Sequence, residues 1–149
     1  MKGISLAIAV SLLSLGAPQL AQAQGPNHNA AAAQQQRYQE AEAVWQRIVA
    51  QQPNNAAAHY NLGIAQAQQQ KWEPALESYE RAIELHPSYA NAHFNRGRAL
   101  FKLGDFEAAG QAYRQVIALE PQNDLVQALL AELEILTQQG SNVAASPAE

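Results

Sequence analysis

Three stretches of the chain share one internal spacing: "WQRIVAQQP" at 45–53, "YERAIELHP" at 79–87 and "YRQVIALEP" at 113–121. Each opens on an aromatic residue, places apolar or small residues three and four positions on, and closes on a proline. The aromatic and its two followers share one face of a helix. The proline has no N–H to give and stops that helix. The interval between stretches is 34 residues both times, 79 − 45 and 113 − 79. A unit that returns at such a period cannot bury its apolar face alone, and copies must stack to do so.

Working outward, residues 56–89 align on 90–123 without a gap. His59 falls on His93, Asn61 on Asn95, Gly63 on Gly97, Ala65 on Ala99 and Ala75 on Ala109. Each unit reads as two helices. The first, 56–69, is rich in alanine and straight-chain residues and has no internal proline. Residues 70–72 form the turn, as does "LGD" at 103–105, where Gly104 can take the left-handed conformation that ends a helix. The second helix, 73–85, carries Pro74 in its first turn, where a missing N–H is harmless. Gly63 and Gly97 lie mid-helix, where glycine costs about 1 kcal/mol relative to alanine. They are expected to admit a close backbone, with Ala75 and Ala109 facing them. Tyr79 and Tyr113 are expected to fill the space between adjacent pairs.

The flanks carry partial copies. Residues 38–53 make a second helix with Ala41, Trp45, Ile48 and Pro53 in register. The partner before it is expected to be a short helix, 29–36, capped by Asn27 or Asn29. Residues 24–55 thus form a degenerate first repeat. After Pro121, Asp124 is the expected N-cap of a helix over 125–139, buried through Val126, Leu130 and Leu133. Glu134 stands where Leu100 would meet a following helix, which suits a cap (124–139) with a wet outer face. Residues 140–149 have no apolar period and are expected to be a disordered tail. The fold class is all-α: an α-solenoid of helix–turn–helix units with a C-terminal capping helix.

The N-terminal segment reads as an address. Lys2 is followed by the apolar run "ISLAIAVSLLSL" (4–15), then Gly16 and Pro18, then small residues at Ala21 and Ala23. That is the layout of a secretory signal peptide, 1–23, cleaved after Ala23. The run is too short to span a bilayer, which needs about 20 residues. The expectation is an exported protein, periplasmic, lumenal or secreted, with no membrane insertion after cleavage. With 9 Lys+Arg against 13 Asp+Glu the net charge is −4, which argues against nucleic acid as partner. There is no cysteine, so disulfides, thiolate catalysis and zinc ribbons are excluded.

The residues Leu62-Gly63, Ala75, Tyr79, Ala82 and Pro87, repeated as Gly97, Leu100, Ala109, Tyr113 and Pro121, resemble the tetratricopeptide repeat family. The resemblance covers 56–123. His59 and His93 depart from it, standing where the family prefers tryptophan. Gln66 replaces an aromatic and Val116 a small residue. The resemblance implies an adaptor whose first helices line a groove for peptide segments.

No convergent acid, base or nucleophile set is present, so no enzyme activity, cofactor or metal site is expected. His59 and His93 match because the unit repeats, and no acidic or cysteine ligands accompany them. Glu77 and Arg81 read as an i,i+4 pair on a solvated face. The expected groove residues are Tyr60, Asn61, Ile64 and Gln68 from one unit, and Asn91, Phe94, Asn95, Arg98, Phe101 and Lys102 from the next. Leu125, Leu129 and Glu132 add the cap helix. Asn61 and Asn95 are expected to hold peptide amides with both ends of their carboxamides. Arg98 and Lys102 form a positive spot on an acidic protein. Some family members clamp a terminal carboxylate with lysines and asparagines over three repeats. Here Gly25, Pro26, Ala30 and Asn91 occupy positions where that set is needed, so such a clamp is not expected. The partner is a protein or peptide. The alternative is a self-associating structural subunit, a weak homo-oligomer built through exposed apolar residues of the incomplete first unit or of the cap helix, where Leu125, Leu129 and Leu136 share a face.

Overall fold

The computed structural model describes the backbone of residues 26–144 and the side chains of 29–138. The expected signal peptide lies outside the described residues, as do positions 145–149 of the expected tail. The described residues form six helices and no strand: α1 (Pro26–Gln51), α2 (Ala56–Ala67), α3 (Trp72–Leu85), α4 (Ala90–Leu103), α5 (Phe106–Leu119) and α6 (Asp124–Ala144). The chain divides into two compact units, 1–36 and 37–149. The described part of the first is the N-terminal portion of α1, and the paired helices all belong to the second. From α2 onward each helix packs on its chain neighbours, giving the pairs α2–α3 and α4–α5 with α6 laid on α5.

The helix ends follow local chemistry. Asn55 Oδ1 accepts from the N–H of Ala58 at 3.0 Å, and Asp105 Oδ1 from that of Ala108 at 3.0 Å. The cap of α6 is Asn123, whose Oδ1 accepts from Val126 at 3.2 Å; Asp124, the expected cap, is the first helical residue. Asn123 is the repeat equivalent of Asn55, and the shared turn geometry selects it. Gly104 ends α4 at φ 84°, in the left-handed region. Its equivalent, Gln70, holds φ 61° without glycine's freedom.

Two flanking expectations are corrected. No short helix and turn precede the 38–53 segment; α1 is one continuous helix from Pro26 to Gln51. "NAAAAQQQRYQEAEAVWQRIVAQ" contains neither glycine nor proline, and its alanines, glutamines and glutamates all favour helix, so nothing punctuates it. At the other end, α6 continues past 139 through Gly140 to Ala144. One glycine costs only about 1 kcal/mol, and no proline intervenes before Pro147.

The glycines serve rings, not backbone. A Cβ at Gly63 would lie 2.6 Å from Tyr79 Cε1, and one at Gly97 would lie 2.5 Å from Tyr113 Cε1. Tyr79 and Tyr113 are thus the nearest groups to the glycine of their own pair's first helix, and each also packs on the next pair as expected, Tyr79 with Ala99 of α4 and Tyr113 with Val126 and Leu133 of α6. Both tyrosines are buried, at 1% and 4% exposed. Around them gather Ala75, Ala99, Ile64 and Leu76 in one cluster, and Leu100, Ala112, Val116, Val126 and Leu133 in the other.

The polar departures from the family pattern, Gln66, His59 and His93, each find a hydrogen-bond partner. Gln66 Oε1 accepts a 2.7 Å hydrogen bond from Ser78 Oγ, and both residues are buried. In the next unit the same two positions are Leu100 and Ala112, an apolar pair. His59 Nε2 lies 2.9 Å from the carbonyl of Pro53, and His93 Nε2 lies 2.8 Å from that of Pro87. A carbonyl only accepts, so each Nε2 carries the proton and donates it. Each histidine thereby ties its helix to the proline that ends the helix before.

Polar contacts fasten α1 to the turn after α2. Glu42 accepts from Gln69 Nε2 at 2.8 Å and from Lys71 Nζ at 2.7 Å. Burial works to raise the Glu42 pKa, but the hydrogen bonds and the Lys71 charge outweigh it and hold the carboxyl below its ordinary value. Arg81 pairs with Glu84 at 2.8 Å, one i,i+3 step on, rather than with the expected Glu77. Arg96–Glu80 and Arg114–Glu134 link neighbouring elements at 3.1 and 2.8 Å.

Candidate interaction groove

The first helices of successive pairs, α2, α4 and α6, present one face to an open groove. Its larger part is a cleft of about 460 Å³ between α4 and α6. Phe94, Phe101, Leu125, Leu129 and Leu136 give it apolar walls, and Arg98, Lys102 and Glu132 stand on it. A smaller hollow of about 80 Å³ adjoins it between α2 and α4, lined by Ile64, Gln68, Trp72, Asn95 and Arg98 among others. Arg98 borders both and so joins them.

Most of the expected residues converge here. Ile64, Phe94, Asn95, Arg98 and Lys102 line one hollow or the other, as do Gln68, Phe101, Leu125, Leu129 and Glu132. Tyr60 reaches the site through Asn95, whose Nδ2 donates to its hydroxyl at 3.1 Å. Asn61 and Asn91 line neither hollow. The Asn91 carbonyl instead accepts from Asn95 Nδ2 at 3.0 Å.

The role expected of Asn95 needs correction. Its Nδ2 is engaged by Tyr60 and Asn91, and its Oδ1 accepts from Arg98 Nη1 at 3.4 Å. The carboxamide is a strut between α2 and α4, not two free ends. An isolated asparagine on a first helix does not reveal this, because its donor target is a tyrosine 35 positions away.

Arg98 also lies over Phe94, its Cζ 6.0 Å from the ring centroid. That is the outer limit of a cation–π contact. Among the described residues Arg98 and Lys102 have no carboxylate within ion-pair distance, whereas Lys71, Arg81, Arg96 and Arg114 each have one. Arg98 and Lys102 stand one helical turn apart on the same wall.

The contact of Tyr89 with Tyr60 was not legible in the sequence. Tyr89 occupies the position held by Asn55 and Asn123 in the neighbouring units and makes no side-chain cap for α4. Its ring lies 4.8 Å from that of Tyr60 by centroids, which in turn lies 6.0 Å from Tyr79. Replacing a capping asparagine forgoes about 1 kcal/mol of helix stability. A ring packed against Tyr60 takes its place. Burial pushes the pKa values of Tyr60, Tyr79, Tyr89 and Tyr113 up, while the Arg98 charge works against that rise at Tyr60, Tyr79 and Tyr113.

Family models described as TPR repeat and tetratricopeptide repeat match residues 65–104, 90–123 and 30–77, together spanning 30–123. The chain belongs to the tetratricopeptide repeat family. No functionally curated protein matches it. Among solved structures it is similar to the second TPR domain of human RPAP3 in complex with the HSP70 peptide SGPTIEEVD. There the identity is 29% and the TM-score 0.63, over 72% of this chain and 90% of that one. The first TPR of Spaghetti (RPAP3) bound to the HSP90 peptide SRMEEVD gives 26% identity and a TM-score of 0.67, over 75% and 89%. The Sgt2 TPR domain from Aspergillus fumigatus gives 26% and 0.68, over 81% of each chain. This tetratricopeptide chain thus carries a helical-repeat groove of the kind that serves protein–protein interaction.

Proposed function

We propose that this tetratricopeptide chain is an exported, non-catalytic adaptor that holds a peptide segment or helix of an envelope or lumenal protein in its groove. One observation carries the reading: an apolar cleft of about 460 Å³ whose wall bears two cations, Arg98 and Lys102, without a carboxylate partner among the described residues. An occupant that sets apolar side chains against Phe94, Phe101 and Leu129, and acidic ones against Arg98 and Lys102, satisfies both. Two similar domains hold peptides, SGPTIEEVD and SRMEEVD, that combine acidic and apolar residues. The export element of the reading rests on Lys2, the apolar run at 4–15 and the small residues Ala21 and Ala23.

The test is affinity capture from an envelope fraction with the chain and with the double variant Arg98→Glu/Lys102→Glu. Both side chains are exposed, so the variant keeps its helical content by circular dichroism. Capture falls at least about tenfold, as expected from reversing two groove charges. Undiminished capture by the folded variant removes the groove assignment. Fractionation of the expressing cells tests export, and recovery of the intact chain with the cytoplasmic fraction overturns that part.

A further inference from the structure

The two ends of the array are unlike halves of one missing contact. In each complete unit a first helix receives its second helix, and the α4–α5 pair shows how. Tyr113 of α5 lies on Gly97 of α4 and 6.0 Å from the Phe94 ring. Phe101 of α4 meets Phe106 of α5 at 5.3 Å. Shifted by one period, α6 is a first helix: Ala128, Ala131 and Ile135 stand at the positions of Phe94, Gly97 and Phe101. No second helix follows α6 among the described residues. All three residues are exposed, Ile135 at 56%. At the other end, residues 38–51 of α1 are a second helix with no first helix before them among the described residues. Trp45 stands at the position of Tyr79 and Tyr113, but it is only half-buried where those two are enclosed. Tyr38 stands at the position of Phe106.

We propose that α1 of one copy docks on the outer face of α6 of the next and completes the unit that each end lacks. Trp45 of one copy then lies on Ala131 and Ala128 of the next, and Tyr38 beside Ile135. The charges agree with this order. From Asp124 to Ala144, α6 carries Asp124, Glu132 and Glu134 and no basic residue. α1 carries Arg37 and Arg47, which have no carboxylate partner among the described residues, beside Glu40 and Glu42, of which Glu42 is taken up by Lys71. With Glu42 and Glu134 neutralised by Lys71 and Arg114, α1 keeps two cations against one carboxylate and α6 keeps Asp124 and Glu132, so the remaining charges favour head-to-tail contact over α6 on α6. The contact is heterologous, so it propagates as an open string and does not close as a pair. It buries one helix face, less than the roughly 1,600 Å² of a standard stable interface, so association is weak and concentration-dependent. Ala131 has a Cβ where Gly97 has none, so the docked ring stands further off than Tyr113 does, which weakens the contact again.

The proposal does not depend on the groove reading, because Ala128, Ala131 and Ile135 line neither hollow. It is tested by light scattering and sedimentation on the purified chain from about 10 µM to about 1 mM, a range that brackets weak contacts of this size. The mean mass is expected to rise with concentration beyond a dimer. Ala131→Arg, which blocks the α6 face, and Trp45→Ala, which empties the α1 face, each leave a monomer with unchanged helical content. Mixed together they form a dimer and stop there, since each retains the end that the other has lost. A chain that stays monomeric throughout overturns the proposal. So does association that survives Ala131→Arg, or a Trp45→Ala variant that still assembles like the parent, which is the mark of α6 pairing with itself.

Discussion

At single positions, the space around a glycine decides its value. Gly97 gives up about 1 kcal/mol of helix propensity to admit the Tyr113 ring, and a Cβ there would meet Cε1 at 2.5 Å. Tyr113 is buried and cannot swing away. Gly97→Ala is expected to destabilise by about 1–3 kcal/mol in urea unfolding, because overpacking outweighs the propensity gained. Gly110 sits in the same fold under opposite conditions: an added Cβ would meet Leu133, Arg114 and Leu130 only at 3.6–3.7 Å. Gly110→Ala is expected to stabilise by about 0.5–1 kcal/mol. Gln70, held at φ 61°, should gain about 1 kcal/mol as Gln70→Gly. The same unfolding series checks all three, and a common sign for the two alanine variants contradicts the account. From the 34-residue period both Gly63 and Gly97 are visibly special, but their neighbour is not. Helical register shows that Ala75 and Tyr79 share a face; which of them the opposing helix approaches depends on how the pair is tilted.

Helix ends and helix continuity show a different balance. Asn55 and Asn123 cap α2 and α6, while α4 begins at Tyr89 without a side-chain cap. A residue that weakens its own helix while placing a ring 4.8 Å from Tyr60 is a sign of function, since local rules are most often broken at sites. Tyr89→Asn is therefore expected to raise stability by about 1 kcal/mol by restoring the cap, and to weaken partner capture. A variant that captures as well as the parent shows the ring to be structural only. The exception was readable as an interruption of the Asn55/Asn123 pattern, but its purpose was not, because Tyr60 becomes its neighbour only when α2 and α4 lie side by side. The long α1 teaches the converse. A repeat period suggested a turn near 36–38, but no residue there makes one, and an uninterrupted helix-forming run stays a helix.

Across the molecule, four tyrosines knit the array: Tyr60, Tyr79, Tyr89 and Tyr113. The ordinary tyrosine value is 10.0, and burial raises all four above it in the folded chain. A raised folded pKa means that the fold favours the protonated hydroxyl. The stability it contributes is whole below pH 10 and is lost as pH climbs through the raised values. Alkaline titration is expected to show tyrosinate absorbance and loss of helical circular dichroism in one cooperative step. Tyrosines that ionise around pH 10 with the helices intact contradict their burial. The period, the pairing of helices and the family were open to reading from the chain alone, because a stacked repeat imposes its spacing on residues close in sequence. Ten of the thirteen expected groove residues line the hollows for the same reason: one face of a first helix is set by its own register. The strut role of Asn95, the lack of a carboxylate partner at Arg98 and Lys102, and the ring of Tyr89 were not readable. Each depends on side chains brought together from different helices, and only the assembled array sets those distances.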